Sequence, residues 1–110
     1  MTRIVQIVPH EGVNLYSLMV QKVRELSESK QGAFSRSGAK MKDRAKWKHK
    51  TYKGWIKLQR SACEVIVAEV KSLSQADDHW QLLHAFMGWL DRHFYDQILS
   101  INITYRGEAE

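Results

Sequence analysis

The sequence predicts a two-layer α+β domain, and three observations carry the prediction. Apolar residues recur at helical spacing twice, over residues 15–26 and 82–94. Four short runs, rich in β-branched residues, alternate or are apolar on both faces in the manner of strands. Each helical stripe has a strand before it and a strand after it, so both helices read as crossovers over one sheet. With 110 residues the chain is expected to form a single domain, 1–110, around one core.

The first strand is expected over Arg3 to Val8, bounded by Pro9 and Gly12. Asn14 offers an N-cap for a helix from about Leu15 to Ser27, in which Leu15, Leu18, Met19, Val23 and Leu26 share one face. Trp55 to Arg60 alternates, with Ile56 and Leu58 on one side and Trp55, Lys57 and Gln59 on the other. A turn at Ser61-Ala62-Cys63 leads into Glu64 to Lys71, where Val65, Ile66, Val67, Ala68 and Val70 form the more buried half of a hairpin. Asp77 and Asp78 supply the N-cap and first-turn carboxylate of a second helix running toward Ile98. Its broad apolar face holds Leu82, Leu83, Phe86, Met87, Trp89, Leu90 and Phe94. In the last strand, Leu99 to Arg106, Leu99, Ile101, Ile103 and Tyr105 alternate with Ser100, Asn102, Thr104 and Arg106.

The resulting order, β-α-β-β-α-β, predicts a four-stranded antiparallel sheet with two helices on one face, the ferredoxin-like arrangement. Residues 28–53 fit it least well, since an unstructured loop of that length is rare inside a compact domain. Part of this basic segment, Ser29 to Lys42, is expected to be mobile. The rest is expected to form a strand from about Ala45, kinked at Gly54 and continuing to Arg60. That period would align Lys46, Lys48 and Lys50 on one side and set Trp47 and His49 opposite them.

Composition excludes several classes of protein. Apolar residues at 44% and charged residues at 26% fit neither a disordered chain nor a membrane protein. The single cysteine, Cys63, rules out an intrachain disulfide. The apolar run in Met1 to Pro9 is too short for a secretory leader, so a cytoplasmic location is expected, without membrane association.

The net charge of +5 is unevenly distributed. Arg36 to Arg60 holds ten basic residues and one acid, Asp43, while the remainder is slightly acidic. Such a stripe fits a surface that meets nucleic acid or another polyanion, weakly and without sequence preference, through Lys46, Lys48, Lys50, Lys53 and Lys57. Trp55 is the candidate stacking group, and Trp47 and Tyr52 complete the interleaving of aromatics with lysines. The competing reading places the lysines on an edge strand, where they deter edge-to-edge pairing.

The sheet face away from the helices is a second candidate. It is expected to expose Ile4, Val8, Val65 and Val67, an apolar patch that points to a homodimer packed face to face. Gln6, Glu69 and Asn102 would then be polar contacts of that interface or the lining of a ligand pocket, alongside Val65 and Val67.

Catalysis has little support. The five histidines show neither an i,i+4 metal pair nor an HExxH motif, and no metal or cofactor is expected. Gly32, Gly38 and Gly54 are isolated and form no phosphate loop. Cys63, beside Glu64 in a turn, lacks the electropositive surroundings of an activated thiol.

The stretches Lys48-His49-Lys50-Thr51-Tyr52-Lys53-Gly54-Trp55-Ile56, Val67-Ala68-Glu69-Val70, Trp80-Gln81-Leu82-Leu83-His84-Ala85-Phe86, Leu90-Asp91-Arg92-His93-Phe94 and Ser100-Ile101-Asn102-Ile103 resemble small uncharacterised proteins carried on mobile integron gene cassettes. The resemblance spans roughly residues 48–105. It implies a bacterial or environmental origin, no activity, and no site residue.

Overall fold

The computed structural model describes residues 2–39, 41–73 and 79–106. β1 (Thr2–Pro9) leads to α1 (Leu15–Glu28), followed by β2 (Phe34–Arg36), β3 (Arg44–His49), β4 (Gly54–Arg60), β5 (Ile66–Ser72), α2 (Gln81–Phe94) and β6 (Ile98–Arg106). All strand pairs are antiparallel, in the order β2-β3-β4-β5-β1-β6. The α+β class and the two helices stand as expected. The sheet has six strands instead of four.

The two extra strands come from the basic segment. The kinked single strand expected between Ala45 and Arg60 is a hairpin, with Lys46 opposite Lys57 and Trp47 opposite Ile56. His49 closes its turn: Nδ1 accepts the backbone N–H groups of Thr51 (3.0 Å) and Tyr52 (3.2 Å), and its ring stacks on Tyr52 at 4.6 Å. Burial, helped by the Lys50 charge, pushes the imidazole pKa below its ordinary value, which keeps Nδ1 an acceptor.

Upstream, in the stretch expected to be mobile, Phe34 anchors β2. The residue is buried, and its ring lies 6.2 Å from Trp47, 6.1 Å from Trp89 and 6.3 Å from Phe86. A three-residue strand has too few ladder bonds to hold by itself, so this aromatic contact ties it to the core. At the far end of the hairpin, Arg60 pairs with Glu64 through Nε (2.7 Å) and Nη2, and its Nη1 lies 3.7 Å from Asp43. These carboxylates raise the guanidinium pKa, and the same pair lowers that of Glu64.

One core holds the two layers together. Val5, Ile7, Ile56, Leu58, Ile66, Ala68 and Val70 from the sheet meet Leu15, Met19 and Val23 of α1 and Leu82, Leu83, Phe86, Trp89, Leu90 and Phe94 of α2. The expected apolar face of α2 therefore does the packing, with Met87 half-buried at the margin, whereas on α1 Leu15, Met19 and Val23 pack as expected, Leu18 is exposed and Leu26 is only half-buried. Asn14 caps α1 as expected, its Oδ1 accepting from the Ser17 N–H at 3.2 Å. Asp77 and Asp78, expected to open the second helix, lie outside the described residues. No described helix is long and apolar enough to cross a membrane.

Candidate functional site

Strand alternation divides the side chains between a face on the core and an open face, and strand register then arranges the open face into rows. In one row Arg44, Gln59, Val67, Gln6 and Asn102 stand side by side on β3, β4, β5, β1 and β6. In the next, Lys46, Lys57, Glu69, Ile4 and Thr104 do so. Trp55 follows on β4, opposite Lys71. The basic stripe and the expected interface residues thus belong to one continuous surface, basic over β3 and β4 and mostly neutral over β1 and β6.

The aromatic members of the stripe separate. Trp47 is 1% exposed and lies 5.2 Å from Trp89, so it belongs to the core and is closed to a ligand. Tyr52 packs on His49. Trp55 alone of the three sits on the open face, with Lys46 Nζ 5.0 Å and Lys57 Nζ 5.4 Å from its ring centroid. Its Nε1 is buried without an acceptor, so cation–π contacts with the ring face are its polar interactions here.

The lysines separate as well. Lys46, Lys48 and Lys57 project from the open face, as does Arg44, which was not among the expected cations. Lys50 and Lys53 are exposed in the β3–β4 turn, beyond the strands. The alignment of three lysines expected on one strand therefore ends after two, because the chain reverses. Nor is β3 an edge: Ser35 pairs with Lys48, Arg36 with Trp47, and the Ser37 N–H reaches the Lys46 carbonyl. The edge-guarding account of these lysines loses its premise over this stretch.

On the neutral half, Gln6, Val67 and Asn102 are adjacent, Glu69 lies one row away, and Val65 sits where the turn enters β5. Ile4, Val8, Val65 and Val67 are half-buried, so the apolar patch is smaller than expected. A groove of about 520 Å³ crosses from this half to the basic one. Its walls are Ile4, Val67, Leu58, Met41, Ala39 and Gly38, with Arg44, Lys46, Lys57 and Glu69 as its charged groups. Gln6 and Asn102 do not line it.

Sequence reasoning missed Arg44, Met41 and Ala39. The strand period was a usable signal for Arg44, two residues before Lys46; nothing local marks Met41 or Ala39, which reach the groove through the β2–β3 connection. A second hollow, about 620 Å³ between α1 and β2–β3, is lined by Val20, Val23, Arg24, Glu28, Arg36 and Trp47, among others. Among the described residues no cluster of three or more His, Cys, Asp or Glu could hold a metal ion. Compared with known proteins, the chain matches no family, no curated protein and no solved structure.

Proposed function

We propose that the protein binds nucleic acid or a similar polyanion through the basic half of its open sheet face, with Lys46, Lys48, Lys57 and Arg44 meeting phosphates and Trp55 beside them. The observation that carries this reading is the placement of Lys46 directly across from Lys57. Like charges at opposed positions weaken a sheet, and lysines that merely solubilise need not face each other. Here both ammonium groups lie over the Trp55 indole instead. Lys50 and Lys53, at the turn, extend the positive field without sharing the row. In this reading β4, β5, β1 and β6 with the two helices form a ferredoxin-like unit, and the β2–β3 hairpin widens its sheet.

Salt dependence tests it. Four phosphate contacts on duplex DNA give a slope of about −3.6 in log K against log salt, from roughly −0.9 per contact. Replacing Lys46, Lys48 and Lys57 by Gln leaves Arg44 and is expected to reduce the slope to about −0.9. Tryptophan fluorescence titrated with oligonucleotides reads both. Absence of binding at low salt, or a slope unmoved by the triple substitution, rejects the proposal.

A second reading, a homodimer through the same face, rests on the apolar area that Ile4, Val8 and Val67 still leave exposed on a surface that neither helix covers, a smaller patch than the sequence suggests. Light scattering after size exclusion is expected to show a dimer that Val67→Lys dissociates. A monomer at high micromolar concentration excludes it.

A further inference from the structure

The groove on the open face contains a group that a purely charge-driven polyanion site has no use for. Glu69 stands on β5 between Lys57 and Ile4, in a cavity whose other charged groups, Arg44, Lys46 and Lys57, are cations. A carboxylate there repels phosphate. It also has about four acceptor sites, more than the opposed Lys57 ammonium can fill. What satisfies it best is a ligand with hydrogen-bond donors at one edge and an apolar body, because Ile4 and Val67 beside it on the sheet and Met41 on the adjoining connection line the same cavity.

An unpaired nucleobase has that description, and its phosphates would extend toward the lysines. Resting on the nucleic-acid reading above, we propose that this groove is the base-binding subsite for a single-stranded nucleic acid, in which Glu69 accepts a hydrogen bond from the exocyclic amine of a base. Lys46 and Lys57 hold the adjoining phosphates, and Trp55, alongside them, offers a face to a neighbouring base. A duplex cannot use this subsite, since its bases are stacked and paired and cannot enter a groove between a sheet and a loop.

The chemistry also sets a preference. Cytosine presents an N4 amine where thymine presents the O4 acceptor, so thymine turns a lone pair toward the carboxylate. Adenine carries the corresponding amine at N6. The site should therefore favour amino-bearing bases over thymine or uracil, although phosphate charge is the same for all of them.

Equal-length homopolymers of deoxycytidylate and of thymidylate, a duplex of the same length, and inorganic polyphosphate are titrated against the wild type, Glu69→Gln and Lys46→Gln at fixed salt. The deoxycytidylate strand is expected to bind about tenfold more tightly than the thymidylate strand, as one good base contact allows. In Glu69→Gln the difference collapses, because the amide presents both a donor and an acceptor. In Lys46→Gln both strands weaken in parallel. Circular dichroism and thermal melting verify that each variant is folded. Equal affinity for the two strands, or a preference that survives Glu69→Gln, overturns the subsite while leaving salt-dependent polyanion binding intact. Failure of every probe to bind at low salt removes the nucleic-acid reading itself and the subsite with it.

Discussion

Gly54→Ala is expected to destabilise the protein by about 4 kcal/mol, at the upper end for a single substitution. Gly54 opens β4 with φ +132°, a conformation that side chains with a Cβ rarely adopt. The added methyl would also stand 2.0 Å from the Lys71 carbonyl oxygen and 3.0 Å from Leu82 Cδ2. The first of these contacts is with backbone, so it cannot be relieved by rotating a side chain. The pairing of Gly54 with Ser72 at the start of the β4–β5 ladder must open instead. Urea unfolding monitored by circular dichroism measures the loss. A change below about 1 kcal/mol would show that the sheet can relax around this point. Because Trp55 is the next residue, the same variant should also weaken oligonucleotide binding at temperatures where it remains folded.

Phe86→Ala is expected to remove about 3–5 kcal/mol, the range for deleting a large core ring. Phe86 is fully buried, and its ring meets Phe34 and Trp47 edge-on, both at 6.3 Å. These contacts join α2 to β2 and β3, the two strands added by the basic segment. The cavity left behind therefore adjoins the rings that anchor the added hairpin. Denaturant unfolding of Phe86→Ala beside Tyr95→Ala, at a residue 71% exposed, makes the comparison. The tyrosine change should stay within about 0.5 kcal/mol. A loss below about 1 kcal/mol for Phe86→Ala would displace this ring from the centre of the core.

Much of this arrangement was legible from local pattern. The apolar stripe from Leu82 to Phe94 marked the buried face of α2, and Asn14 marked the start of α1. The alternation at Lys46, Trp47, Lys48 and His49 separated lysines from aromatics onto opposite faces. Other features had weak local signals. The reversal at residues 50–53 has no proline or Asn-Gly pair; it is closed by the His49 ring accepting from the backbone ahead of it. β2 has only Phe34 to mark it, and that residue becomes an anchor only when Trp47, Phe86 and Trp89 converge on it.

The functional surface divides along the same line. Which side of its own strand each residue occupies is a consequence of the two-residue backbone period, so the sequence alone determined that Lys46 and Lys48 would share a face, that Lys57 would lie beside Trp55 rather than with Ile56, and that Val67 would share a side with Glu69. Which strands become neighbours, and in what register, depends on the packing of both helices against every strand at once. Only the tertiary structure could therefore decide that Lys57 stands between Lys46 and Glu69, joining a basic stripe and a neutral face into one groove. The same packing decided that the side of β3 opposite the lysines would face the core, where the aromatic rings of α2 offer Trp47 a larger apolar contact than solvent could.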